Sequence, residues 1–425
     1  MTDPNRSSPP QPAVSASDPD EQRIKAAVEK ARLVVEEELP GYWPRVEAVL
    51  AASATLRLKD LDNCTTLMLI GPPSSGKSST LDMLRGGWNT ITVDRITPAA
   101  FVANTMGKTD VELQQIDLLT RIKHKVMLTR EMGMILRGGP DALKELFKVL
   151  TNVLDGKGYA PATATQGLRS LIGDYVFVWL GGTTPIPQRT WDIQVELGSR
   201  LMFFDLGHRT PLTDDEVLLQ RQGKPFKEKI TLCQDAVSGV LVTLFLQRAN
   251  GPDNAATGSS IRSIEWEKDP EDVTLWLVRL GRLLAHGRWK KSLMADDESS
   301  PEDPHRNVAL LENLARGRAM LYGRHHVDLS DLALPTHVVF SSMPHGRLWR
   351  AVAKYHQSGL TIPEGARECG CTVPTATARM NTLAGREDIV EWGVWTGAPC
   401  VGHPPEKALH PTTAWQWLGE LSRWL

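Results

Sequence analysis

The chain contains no long apolar run. Nothing in its 425 residues approaches the roughly 18 consecutive apolar residues of a membrane-spanning helix, so neither a membrane segment nor a membrane partner is expected. Cysteine is scarce. The five residues at 64, 233, 369, 371 and 400 make no disulfide framework. Cys369-Gly370-Cys371 lacks the two-residue spacer that lets both thiolates reach one zinc ion. A reducing, cytoplasmic setting is the expectation. Charge of one sign is missing too. With 48 Lys and Arg against 50 Asp and Glu the net charge is −2, which excludes a uniformly basic nucleic-acid coat but leaves room for a local basic face. The first stretch, 1–20, is rich in Pro, Ser and Asp with no apolar run, so it reads as a disordered leader and not as a secretory signal. There is no internal repeat and no nuclease or protease constellation.

What is present is a globular composition, 41% hydrophobic, on a chain long enough for two or three domains. Segment 21–64 opens with an amphipathic helix over 21–38, with Ile24, Ala27, Val28, Ala31 and Val35 on one side, ended by Leu39-Pro40-Gly41. Thr65–Ile70 is a short, wholly apolar run, as in a strand buried on both faces. Further strands are predicted at Thr90–Asp94, Lys125–Thr129, Tyr175–Leu180 and Leu201–Leu206, with helices between them at 110–122 and 141–154. Such alternation predicts an α/β fold with a doubly wound parallel sheet over 65–212. A mostly helical stretch, 213–334, follows, interrupted by acidic residues at 295–304.

Gly71-Pro72-Pro73-Ser74-Ser75-Gly76-Lys77-Ser78 satisfies G-x-x-x-x-G-K-[ST], with Ser79 next to it, between an apolar strand and a helical start. Phosphate binding needs a loop whose N–H groups converge on anionic oxygens, and glycines permit that approach. Lys77 would reach the β- and γ-phosphates of ATP and the Ser78 hydroxyl would bind Mg2+. Hydrolysis needs a carboxylate near the metal, a group to orient water and positive charge for the transition state. The strand at Lys125–Thr129 ends in Thr129-Arg130-Glu131. Only Glu131 offers a carboxylate there, as catalytic and metal-binding candidate, with Asp94 as substitute. Thr183 and Thr184, after Tyr175–Leu180, are hydroxyls placed to orient the attacking water. Arg200, just before the next strand, is placed to act on a neighbouring subunit's nucleotide.

Taken in order, GPPSSGKS, KVMLTRE, YVFVWLGGTTP and Gly198-Ser199-Arg200 resemble the core of AAA+ ATPases: Walker A, a degenerate Walker B, sensor 1 and arginine finger. The helix after Asp303-Pro304-His305-Arg306 is similar to the lid of AAA+ proteins of the MCM and chelatase kind. The resemblance implies sensor 2 at Arg306, with Arg316 and Arg318 as rivals. A looser likeness is to ATPases of phage and plasmid helicase type, including poorly characterised bacterial ATP-binding proteins with a C-terminal winged helix, a group to which Asp155-Gly156 also conforms. The resemblance implies a P-loop NTPase core, a helical lid and a homo-oligomeric ring or filament with ATP and Mg2+ as cofactors.

Over 335–400 the pattern is a winged helix-turn-helix. Helices are predicted at Arg347–Gln357, Leu360–Glu368 and Pro374–Leu383, with a turn at Cys369–Val373 and a wing strand at Ile389–Trp395. Between 345 and 386 six Lys or Arg face two acids, a locally basic face suited to DNA. Arg347, Arg350, Thr375, Thr377, Arg379 and Asn381 are the candidate DNA contacts. Protein docking is the rival use. Residues 401–425 form a Trp-rich tail, with Trp415, Trp417 and Trp424 as packing or partner anchors. The resulting expectation is an AAA+ ATPase that moves along or remodels DNA. A DNA-binding switch with little hydrolysis and a protein-remodelling ATPase are the alternatives.

Overall fold

The computed structural model describes residues 19–103, 109–163, 167–196, 198, 200–207, 214–215, 218, 223–245, 263–289, 300–385, 389–397 and 406–425. Most of the expected leader, the acidic residues 295–299, Ser199, Arg386 and Cys400 lie outside them.

Five strands make one parallel sheet: β1 (Thr65–Ile70), β2 (Thr90–Thr92), β3 (Val126–Thr129), β4 (Val178–Thr183) and β5 (Phe203–Asp205), in the order β2-β3-β4-β1-β5. This is an α/β fold built on a parallel sheet. Alternate residues of each strand enter different cores. Leu67, Leu69, Val126, Leu128, Val178 and Leu180 join a core shared with the helices of residues 19–54 and 226–321. Met68, Met127, Phe177, Trp179 and Phe203 join a second core with Phe147 and Leu150 of the helix Pro140–Val153. Both faces are covered, which is why the strands read as unbroken apolar runs. Burying each such side chain contributes about 1.5–3 kcal/mol.

Two expected elements move. β4 begins three residues later than its apolar run and includes Gly181 and Gly182. A Cβ on Gly181 would lie 2.4 Å from Met68 Sδ, and one on Gly182 would lie 2.7 Å from the Arg130 carbonyl oxygen. The glycines allow close packing inside a strand. The helix expected over 110–122 breaks at Asp117 into Asp110–Ile116 and Leu118–Ile122. The Asp117 carboxylate is fully buried, accepts from Ala103 N at 2.7 Å and pairs with both Arg169 Nη atoms at 2.7–2.8 Å.

Helices α1 (Pro19–Glu38) and α2 (Trp43–Ala54) pack against the long helices that follow the sheet. α3 (Lys77–Asp82) leads out of the P-loop, and α4 (Phe226–Phe245), α5 (Glu271–Arg288) and α6 (His305–Leu321) follow the sheet. Arg288 of α5 is 2% exposed. It donates from Nε to Ser342 O and from Nη2 to Leu201 O, both at 3.0 Å. Burial pulls its guanidinium down to about 10. None of the described helices is long and apolar enough to cross a membrane.

α7 (Ala333–Ser341) covers the free edge of β5. Ser341 Oγ accepts from Asp205 N at 3.0 Å and Ser342 Oγ accepts from Phe203 N at 2.8 Å. The boundary expected at 335 therefore falls inside a helix that belongs to the core. Beyond it lie α8 (Gly346–Lys354), β6 (Leu360–Thr361), α9 (Ile362–Cys369), α10 (Val373–Ala384), β7 (Val390–Val394) and β8 (Lys407–Pro411). β8 is the middle strand of an antiparallel sheet, pairing with β6 and β7. The expected cut at 400 thus divides one sheet, and the tail supplies its central strand. Trp415, Trp417 and Trp424 dock on α5, with Trp424 5.1 Å from Trp276 between ring centroids.

Candidate nucleotide site

The order of the sheet brings the C-terminal ends of β3, β4 and β1 side by side. Ile70 pairs with Thr183, and Thr129 with Gly181. Gly71 N donates to Thr183 O at 3.2 Å, so the P-loop leaves β1 tied to β4. The loop then closes on itself. Ser74 has φ +62° and Gly76 φ +88°, the left-handed turn that aims the following N–H groups inward. Lys77, 5% exposed, donates to Gly71 O at 2.9 Å, Pro72 O at 2.7 Å and Ser75 Oγ at 3.3 Å. Burial pushes its ammonium below the ordinary value, with Glu131 acting in the opposite sense. Ser75 is buried, whereas Ser78 is exposed and Ser79 partly so at the start of α3.

Two residues that the sequence reading missed brace the loop from behind. Arg45 Nη1 of α2 donates to Ser75 O at 2.7 Å, and its guanidinium stacks 4.3 Å over the Tyr42 ring. Tyr42 is buried under Gly76, where a Cβ would meet Tyr42 Oη at 2.4 Å. Leu39-Pro40-Gly41 ends α1, and nothing local to that stretch says what the next residue touches.

Glu131 and Thr184 both lie close to Gly133. Glu131 is exposed, and its Oε1 accepts from Gly133 N at 2.7 Å. A Cβ on Gly133 would lie 2.4 Å from Glu131 Oε1 and 3.5 Å from Thr184 Oγ1. Thr183 is fully buried, and its hydroxyl donates to Thr184 O at 2.9 Å. Thr184 is therefore the hydroxyl that shares the opening with Glu131. Asp94 lies beyond β2, 3.5 Å from Arg130 Nε.

Arg200 and Arg306 converge on a single carboxylate. Arg200, 9% exposed, donates to Asp155 Oδ1 at 2.9 Å, and Arg306 Nη2 lies 3.7 Å from the same oxygen. Thr66 Oγ1 donates to Arg200 O at 2.6 Å, so the pair sits at the start of β1, some four residues or about 13 Å from the P-loop end. The rival arginines are occupied elsewhere. Arg316 pairs with Asp269 at 2.8 Å and Arg318 with buried Asp331 at 2.9 Å.

Of the residues expected on the DNA face, Arg347 and Arg350 are engaged within the fold. Arg347 Nε donates to Asp205 Oδ2 at 3.0 Å, and Arg350 lies against His337 Nδ1 at 3.2 Å. His337 in turn contacts Asp205 O at 2.9 Å. These side chains join α8 to the end of β5, because a basic helix docked on an acidic strand end pairs its charges inward. Lys354 pairs likewise with Glu368 at 2.8 Å, and Arg367 donates to Tyr355 Oη at 2.9 Å. Thr375, Thr377 and Arg379 lie partly exposed on α10, with Asn381 exposed. The Thr377 hydroxyl donates to Val373 O at 2.9 Å.

The residues fit a nucleoside triphosphate: left-handed Gly76, the inward Lys77 and a cradle closed against β4. For Mg2+ the match is partial. Ser78 is available, but Arg130 occupies the strand-end position next to Glu131.

No protein-family model matches the chain, and no curated protein matches it. Among solved structures, a proposed ATPase from Cytophaga hutchinsonii has 12% identity and a TM-score of 0.40, with 76% of this chain and 88% of that one covered. A full-length MCM homolog from Methanopyrus kandleri has 12% identity and a TM-score of 0.42, with 77% of this chain and 63% of that one covered. Both are likenesses of outline and carry no chemistry to this chain.

Proposed function

We propose that this chain is an AAA+-type ATPase that binds ATP on the P-loop at 71–78 and uses it to move along or remodel DNA. The observation that carries the reading is the closed loop with Lys77 held inside it, next to a strand end bearing Glu131 and Thr184. In this reading Lys77 holds the terminal phosphates, Ser78 supplies a hydroxyl to Mg2+, and Glu131 takes the proton of a water that Thr184 helps to orient. Arg200 and Arg306 lie together at the far end of β1, so they serve a neighbouring copy's nucleotide in a ring or filament. Asp155 holds both until that contact forms. α8–α10 with the β6–β8 sheet make a winged helix whose α10 meets DNA through Thr375, Thr377 and Arg379.

A second reading, a nucleotide switch with little turnover, is favoured by Glu131 folding back on Gly133 N and by Arg130 at the strand end. Steady-state ATP hydrolysis with and without single- and double-stranded DNA, beside Lys77→Ala and Glu131→Gln, separates the two. DNA-stimulated turnover lost in both variants supports the motor. ATP binding that Lys77→Ala abolishes, with no turnover on any DNA, leaves the switch.

A further inference from the structure

β3 ends in Thr129-Arg130-Glu131, so the position beside Glu131 that would carry a metal-binding carboxylate carries a guanidinium. The backbone of Arg130 is at the site. A Cβ on Gly182 would lie 2.7 Å from Arg130 O and 3.3 Å from Lys77 Cβ. Its side chain runs along the C-terminal edge of the sheet, with Nη1 3.9 Å from Asp82 Oδ1 and Nε 3.5 Å from Asp94 Oδ1. Asp82 lies four residues after Ser78 on α3, hence on the same helical face one turn away. Arg130 therefore reaches the side of α3 from which the Ser78 hydroxyl is offered.

Both acidic contacts are loose. The arginines that serve the fold pair far more closely, Arg169 with Asp117 at 2.7 Å and Arg324 with Asp331 at 2.6 Å. At 3.5–3.9 Å, on side chains about a third or more exposed, such pairs contribute little and exchange readily. Asp82 Oδ1 is buried and has no hydrogen-bond partner among the described residues. The guanidinium is thus held at the edge of the site by two weak ion pairs that a phosphate can displace. A planar fork of N–H donors matches phosphate oxygens, and a fixed cation repels a divalent ion brought next to it.

Resting on the nucleotide reading of the P-loop, we propose that Arg130 takes the terminal phosphates together with Lys77, in place of a metal ion held by a strand-end carboxylate. Binding of nucleoside triphosphate then needs no divalent cation, and Mg2+ at Ser78 is required only for turnover.

The test is equilibrium titration of the full chain with a fluorescent ATP analogue, in Mg2+ and in EDTA, with circular dichroism to confirm that each variant is folded. Wild-type affinity is expected to agree within about threefold between the two buffers. Arg130→Ala should weaken binding in EDTA by about tenfold, the loss of one charge-assisted contact, and Arg130→Lys should keep most of it. Arg130→Asp should make binding depend on Mg2+ by about tenfold or more. Wild-type binding that drops by about tenfold in EDTA overturns the proposal, as does Arg130→Ala binding as tightly as wild type there. Absence of binding in both buffers overturns the nucleotide reading and this proposal with it. Binding that only Lys77→Ala removes, unaffected by Arg130, leaves the nucleotide reading standing and ends the proposal.

Discussion

Gly76→Ala strikes the turn on which the phosphate site depends. Gly76 has φ +88°, and a left-handed conformation costs an alanine about 1–2 kcal/mol. The new methyl would also sit 2.4 Å from Tyr42 Oη and 2.8 Å from Tyr42 Cζ. Tyr42 is 5% exposed and pinned by Arg45, so the ring cannot swing aside, and overpacking of this kind costs about 1–3 kcal/mol more. The sum is about 2–5 kcal/mol. The free protein can relieve part of it by deforming the loop, but nucleotide binding must restore the turn. Stability loss and affinity loss should therefore add to that sum, with affinity taking the larger share. Urea unfolding gives the first quantity, and titration with a fluorescent ATP analogue gives the second. The double variant with Tyr42→Ala separates the two contributions: the clash disappears and about 1–2 kcal/mol of backbone strain persists. If Gly76→Ala changes both quantities by less than about 0.5 kcal/mol, neither the turn nor the Tyr42 brace governs the loop.

Three further outcomes are expected. Arg288→Met should cost about 2–4 kcal/mol in urea unfolding, because the Ser342 and Leu201 carbonyls lose their buried donor; a loss under about 1 kcal/mol would refute that role. His337, pushed down to about 4 by burial and by Arg350, is neutral in the folded protein while the unfolded chain protonates below about 6.5. Its contribution is therefore complete above about pH 6.5 and lost as pH falls toward 4, by at most about 3 kcal/mol since the ring keeps some contact with water. His337→Gln should flatten that part of the stability profile, and a variant with the wild-type slope would sink the assignment. Arg379→Ala should lower the salt dependence of DNA binding by about one unit of slope, whereas Arg347→Ala should leave it unchanged; equal effects would return Arg347 to the DNA face.

The P-loop and its strand were legible because their constraints are local. Two threonines and four apolar residues bounded by a Gly- and Ser-rich loop determine β1 to the residue, and eight consecutive positions define the phosphate cradle. The capping box at Thr361 and Glu364 and the left-handed Gly370 likewise settle α9 within its own sequence. β4 was misplaced by three residues because Gly181 and Gly182 look like a turn until Met68 Sδ and Arg130 O press against them. The charges show the same division more sharply. Composition counts the basic residues of 345–386, but only the folded chain brings Asp205 to Arg347, Asp155 to both Arg200 and Arg306, and Tyr42 beneath Gly76. Backbone conformation follows from neighbours along the chain. Which charge is spent on structure and which is left for a ligand follows from partners more than a hundred residues away for Asp205 and Arg306, where only tertiary packing makes the choice.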